Sequence, residues 1–272
     1  MTTLYGLIGE KLGHSLSSII HKKLFKLLNM DSDYKLFEIN KPDLKANFIK
    51  LKNEGIQGLN VTIPYKVDVM DFLDDISNEA KSIGAVNTVC FENHKIIGHN
   101  TDYFGFARML DKNSIKIKDK VVVILGAGGA AKAVIQYISN TSAKRTILVS
   151  RDPSKVSKNF KNVEFMNYNQ LNDLDCGDVV INCTPVGMYP NVNNSPISED
   201  CISKFSVAVD LIYNPSETKF LKLARENKLQ SVNGLYMLVA QAISAEELWN
   251  HIKIDDKIID EIYKDLIRDT NS

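Results

Sequence analysis

The chain has 272 residues, 44% of them hydrophobic and 24% charged, an ordinary globular composition with enough apolar material for about two domains. Lys plus Arg and Asp plus Glu number 33 each, so a formal net charge of zero offers no basic field for nucleic acid or an anionic membrane. The N-terminus lacks a basic and apolar leader, no apolar run approaches the roughly 20 residues of a membrane span, and the four cysteines form no C-x-x-C pair, so free thiols in a soluble cytoplasmic protein are expected.

In chain order, "LYGLIG" predicts a first strand, after which Ser17 or Ser18 caps a helix with Ile20, Leu24, Leu27 and Leu28 on one face. "YKLFEI" predicts a second strand, Pro42 suits the first turn of another helix, and "GLNVTI" is a third strand, giving a βαβαβ series. Two apolar runs around "ENHK" predict a hairpin. A second series follows from Lys120: "KVVVIL", "RTILVS", "VEFMNY", "DVVINCT" and "SVAVDLI" are short, mostly apolar strands of a sheet covered on both faces. After Gly234 the pattern is helical, with Leu238, Gln241, Ala242 and Ala245 in one helix and Ile258, Ile259, Ile262, Tyr263 and Leu266 in the last. The second sheet has helices of its own, so the final pair is expected to return to the N-terminal domain. The predicted fold is α/β: an N-terminal α/β domain (1–101) completed by C-terminal helices (234–272), with a Rossmann-type dinucleotide-binding domain (102–233) inserted.

"VVVILGAGGAAKAV" places Gly126, Gly128 and Ala131 in G-x-G-x-x-A spacing between a strand and a helix. Gly126 permits the turn, Gly128 lets backbone approach a pyrophosphate, and the helix start through Ala127, Gly129 and Ala130 offers N–H groups to phosphate. The next strand ends in Ser150 and Arg151 rather than in the carboxylate that an NAD ribose usually receives. Arg151 can grip a 2′-phosphate bidentately and Lys155 adds a point charge, so NADP is expected, with NAD the alternative because Asp152 stands nearby. Asp152 before Pro153 also reads as a helix cap.

Polar residues gather at strand ends and helix starts of the first domain: Ser15, Ser17, Thr62, Lys66, Asn87, Thr88 and Asp102, joined late by Gln241. Each alone has a structural explanation as a cap, strand or turn residue. Together, outside the carboxyl ends of strands where open α/β sheets bind ligands, they suit a polyhydroxylated acid.

The sequence resembles the shikimate dehydrogenase family along nearly its whole length, through "GEKLGHSLSS", "GLNVTIPYK", "IGAVNTV", "GHNTDYFGF", "VILGAGGAAKAV", "INCTPVGM", "DLIYNP" and "GLYMLVAQA" in the family's order. The resemblance implies a substrate-binding domain and an NADP-binding domain that together reduce 3-dehydroshikimate reversibly to shikimate in aromatic biosynthesis. It implies that Ser15 and Ser17 hold the substrate carboxylate, that Thr62, Asn87, Asp102 and Gln241 hold ring hydroxyls, and that Tyr213 lies close to the substrate. Lys66 and Asp102 would be the catalytic pair, and Thr184, Met188, Gly234 and Met237 would join the cofactor site. Two departures stand out: Ser18 replaces a frequent proline, and Ser150, Arg151, Asp152 and Lys155 replace the usual N-R-T-x-x-R. The alternatives are a quinate/shikimate dehydrogenase preferring NAD and a non-catalytic dinucleotide-sensing protein; a monomer or homodimer is expected. Hydride reduction of a ketone builds charge on oxygen, and Lys66 is the compact cation and proton donor to meet it. His14, His21, His94, His99 and His251 show no metal-ligand spacing, so no metal is expected.

Overall fold

The computed structural model describes residues 2–13, 15–92, 94–156, 160 and 162–271; His14 lies outside them. The chain divides into two units, residues 1–105 with 238–272, and residues 106–237.

The first unit is built on β1 (Thr3–Gly9), α1 (Ser17–Leu27), β2 (Ser32–Glu38), α2 (Leu44–Asn53) and β3 (Gly58–Val61). Next come β4 (Asp75–Ile76), α3 (Asn78–Ile83), the hairpin β5 (Thr88–Glu92) and β6 (Lys95–His99), and the start of α4 (Thr101–Lys112). The sheet order is β2-β1-β3-β5-β6-β4. Strand β1 runs parallel to β2 and β3, whereas β5 pairs antiparallel with both β3 and β6. All four residues of β3 are buried, as a strand covered on both faces requires.

Helix α1 differs from expectation in its face and its cap. Ser17, Ile20, His21, Leu24 and Phe25 form the buried stripe, while Leu27 is exposed and Leu28 stands past the helix end. Neither serine caps it: Leu16 holds the cap position without a side-chain bond, Ser15 Oγ accepts from Ser17 N–H at 3.2 Å, and Ser18 Oγ donates to the Tyr34 carbonyl at 3.1 Å.

The second unit comprises the remainder of α4, then β7 (Val121–Leu125), α5 (Gly129–Asn140), β8 (Arg145–Val149), β9 (Val163–Met166) and α6 (Tyr168–Asn172). It continues through β10 (Val179–Asn182), α7 (Glu199–Ile202), β11 (Val207–Asp210), α8 (Lys219–Glu226) and β12 (Gln230–Val232). The sheet is parallel throughout, in the order β12-β11-β10-β7-β8-β9. That is the doubly wound arrangement, whose strand order reverses between β7 and β10 and opens a crevice at their carboxyl ends. The inner strands are buried and the edge strands β9 and β12 are not.

The chain ends with α9 (Leu235–Asn250) and α10 (Asp256–Asn271). Within the first unit, Trp249 of α9 donates its indole N–H to the Val89 carbonyl at 3.0 Å. A Cβ on Gly58 of β3 would stand 2.3 Å from that indole nitrogen, so glycine lets the helix lie directly on the sheet. Helix α10 buries Ile259, Ile262 and Leu266, and Lys23 of α1 reaches Asp269 at 3.1 Å.

Candidate active site

Strand β3 ends in the segment that carries Thr62 and Lys66. Lys66 Nζ donates to Asp102 Oδ2 at 2.6 Å, with side-chain exposures of 17% and 12% that shield the pair from bulk water. Asp102 stands in the first turn of α4, where its charge complements the helix dipole. Its other oxygen accepts from Asn87 Nδ2 at 2.8 Å. Asn87, just before β5, turns its own oxygen to the Thr101 N–H at 2.7 Å and so caps the helix that carries Asp102. Gln241 of α9 joins the group through Thr101, whose hydroxyl lies 3.4 Å from Gln241 Oε1. Four expected residues, Lys66, Asp102, Asn87 and Gln241, thus form one hydrogen-bonded cluster.

Ser15 and Ser17 meet each other in the loop that follows β1 and the first residue of α1. Thr62 is half-buried, and a Cβ on Gly9 would lie 2.6 Å from its methyl carbon, so that glycine lets the ends of β1 and β3 close on one another. The cluster also contains Thr88, one of the polar residues gathered from the sequence, and three residues to which the sequence assigned no role. Tyr34, Asn60, Thr88 and Thr101 are buried behind it and bonded into it. Thr88 had a signal, being polar at a strand start; Tyr34, Asn60 and Thr101 read as ordinary strand or cap residues.

In the second unit, the crevice between β7 and β10 is a groove of about 1020 Å³ whose lining includes Gly126, Ala127, Gly128, Ser150, Arg151, Asp152, Lys155 and Thr184. Gly126 has φ +94°, and a Cβ there would also meet Thr184 Cγ2 at 2.7 Å, so the turn itself demands glycine. A Cβ on Gly128 or Gly129 would meet nothing within 4 Å. Those positions leave open space at the start of α5, the room a pyrophosphate needs beside helix N–H groups. Ser150 lines the groove, and its hydroxyl is buried without a partner. A dinucleotide therefore fits the groove. Ala130 lies in the first turn of α5, and Met188, Gly234 and Met237 are not among the lining residues. A Cβ on Gly234 would fall 2.1 Å from the Leu211 carbonyl oxygen, a packing reason for that glycine. Tyr213 is half-buried after β11, and burial raises its hydroxyl pKa.

Asp152 caps a short 3-10 turn, accepting from Ser154 N–H at 3.2 Å and Ser154 Oγ at 2.5 Å, and it pairs with Lys155 Nζ at 3.0 Å. The Ser154 hydroxyl, then Lys155, hold its carboxyl below the usual range. Asp152 is thereby engaged locally, and Lys155 is tied to it while lining the groove. Thr184 is held by Asn182 Oδ1, which accepts from its N–H at 3.0 Å and its hydroxyl at 2.7 Å. Among the described residues no cluster of three or more His, Cys, Asp or Glu side chains is arranged to hold a metal ion.

Two family models match the chain: the shikimate dehydrogenase substrate binding domain over residues 7–89, and shikimate / quinate 5-dehydrogenase over residues 108–233. The chain belongs to the shikimate dehydrogenase family. The shikimate dehydrogenase (NADP(+)) of Clostridium perfringens is 52% identical over 266 residues, covering 97% of this chain and 98% of its own. Among solved structures, a chorismate mutase/shikimate 5-dehydrogenase fusion protein from Clostridium acetobutylicum is similar over 100% of both chains, with a TM-score of 0.97 and 51% identity. A shikimate dehydrogenase in complex with NADP+ has a TM-score of 0.88 at 35% identity, covering 98% of this chain and 96% of its own.

Proposed function

We propose that the protein is an NADP-dependent shikimate dehydrogenase that reversibly reduces 3-dehydroshikimate to shikimate, with Lys66 and Asp102 as its reacting pair. The 2.6 Å contact between them, backed by Asn87, carries this reading. Ser15 and Ser17 bind the substrate carboxylate, Thr62, Asn87 and Gln241 bind ring hydroxyls, and Gly126, Gly128, Ser150, Arg151 and Thr184 hold the dinucleotide.

When bound, NADPH supplies the hydride. As the ketone carbon accepts it, Lys66 faces the developing alkoxide, stabilises its charge and gives up a proton to yield the alcohol; in the oxidative direction the neutral amine takes that proton back. Asp102 keeps the ammonium in place and accepts from a neighbouring ring hydroxyl, a role open to an ionised carboxylate. Arg151 meets the 2′-phosphate. A preference for NAD would need a carboxylate for the ribose diol, and Asp152 is already bonded to Ser154 and Lys155.

No helix among the described residues is long and apolar enough to cross a membrane. We assign the protein to the cytoplasm and to aromatic biosynthesis, as a monomer or homodimer. The test is absorbance of the reduced nicotinamide with shikimate or quinate, each with NADP or NAD. Shikimate with NADP should give the highest kcat/KM; quinate with NAD in first place would overturn the assignment.

A further inference from the structure

We propose that the buried hydroxyls of Thr88 and Thr101 are positioning groups that fix the direction of the Asn87 amide, and through it the carboxylate of Asp102. This rests on the reading of Lys66 and Asp102 as the reacting pair.

Two backbone groups with fixed roles set the direction. The Asn87 carbonyl can only accept, so Asn60 turns its NH2 toward it at 3.3 Å and toward Thr88 Oγ1 at 3.1 Å. Asn60 Oδ1 is then left to the Tyr34 hydroxyl, which donates at 2.7 Å. Burial pushes the Tyr34 hydroxyl well above its ordinary pKa, so it stays a neutral donor. The Thr101 N–H can only donate, so Asn87 turns Oδ1 to it at 2.7 Å and presents Nδ2 to Asp102.

Between these anchors stand the two threonines, each 0% exposed and 3.0 Å apart at their hydroxyls. Having accepted from Asn60, Thr88 sends its proton to Asn87 Oδ1 at 3.0 Å or to Thr101 Oγ1. Thr101 in turn donates to Asn87 Oδ1 at 3.2 Å or Gln241 Oε1 at 3.4 Å. Apart from the contact between the two hydroxyls themselves, the acceptors within reach of these protons are amide oxygens of the site. Asn87 therefore shows its NH2 group to Asp102, and the carboxylate is left to accept, whereas Gln241 gives its own NH2 to the Leu238 carbonyl at 2.9 Å. A buried polar network that is fully satisfied holds one arrangement; removing one hydroxyl leaves a buried donor or acceptor without a partner and permits another.

Thr88→Val keeps shape and strand propensity and deletes the hydroxyl, whereas Thr88→Ser keeps the hydroxyl. With shikimate and NADP, Thr88→Val should lower kcat/KM by about tenfold, the loss of one buried hydrogen bond, and Thr88→Ser should stay within about twofold. In the Asn87→Ala background, Thr88→Val should cost less than about twofold, because its effect passes through the missing amide. A merely structural threonine would cost the same in either background. Equal losses in the Val and Ser variants, an additive double variant, or full activity in Thr88→Val would each overturn the proposal. Thr101→Val and Thr101→Ser repeat the comparison should Thr88→Val fail to fold. If Lys66→Ala keeps normal kcat, the functional reading falls; if Lys66→Ala is inactive and Thr88→Val is not impaired, only the positioning role falls.

Discussion

Lys66 carries three ammonium protons, and the 2.6 Å bond to Asp102 commits one of them. A lysine so held acts when charge builds on the substrate oxygen, so Lys66→Ala should cut kcat by about 10² to 10⁴ while direct titration finds shikimate affinity within a few-fold. Weak binding with normal turnover at saturation would make the lysine a binding group. Arg151→Ala should weaken NADP far more than NAD, since only NADP has the 2′-phosphate. Asp152→Asn should free Lys155 from its exposed ion pair and tighten NADP by up to about fivefold with NAD unchanged, the scale of one surface pair; a change in NAD affinity instead would mean that the carboxylate reaches the ribose. That Lys66 and Asp102 stand together was expected because each sits in a dense run of motif residues, and the two side chains do meet. Tyr34 and Asn60 were not, since the bond joining them is a tertiary fact between two strands. Ser17 and Ser18 misled for a related reason: a serine before an apolar stripe reads as a cap, yet tertiary structure gave Ser18 the Tyr34 carbonyl.

At the scale of elements, the inner strands of the second sheet declared themselves by continuous apolar runs, and β12 did not. It has three residues, Gln230 to Val232, on an exposed edge, too short and polar for any period to register. Strands β10 and β11 end in a polar clip that no periodicity announces. Asp210 accepts from Asn182 Nδ2 and Ile212 N–H, both at 3.0 Å, and from Thr218 Oγ1 at 2.7 Å. Through Asn182 the clip also holds Thr184 beside the groove. Burial outweighs these bonds and pushes the Asp210 carboxyl up to about 6 from 3.8. Because the folded value is the higher one, the folded chain binds the proton first as pH falls. The resulting stability is fully present below the unfolded value and lost as pH rises through about 6. Asp210→Asn, whose amide can donate to Thr218, removes that titration. Relative to the parent, its unfolding free energy in urea should rise by up to about 3 kcal/mol between pH 4 and pH 7. A pH-independent difference would show that Asp210 is not held in this way.

Across the whole molecule, the chain leaves its first unit in α4 and returns to it in α9. The return was legible because two apolar helices needed a surface; that Gly58 makes room for Trp249 was not, since a glycine in a strand says only that something comes close. Each unit assembles its own polar site from its own residues, so the two binding functions should separate by mutation. Gly128 is the sharpest probe. Its φ of −77° suits any L-residue and a Cβ there meets no protein atom, whereas Gly126 is demanded by the turn. The fold therefore has little use for a glycine at 128, and the groove's ligand has a large one. Gly128→Val should cost no more than about 1 kcal/mol of stability, the loss of a favourable N-cap residue. It should weaken NADP by more than about 30-fold, because its side chain takes the pyrophosphate's room beside the helix N–H groups. Shikimate affinity, titrated without cofactor, should stay within about twofold, and Lys66→Ala should leave NADP affinity unchanged. Calorimetric titration of each ligand into each full-length variant reads all four values. Normal NADP affinity in Gly128→Val would mean that the pyrophosphate does not lie at the start of α5. Loss of shikimate affinity in the same variant would mean that the two sites are not independent.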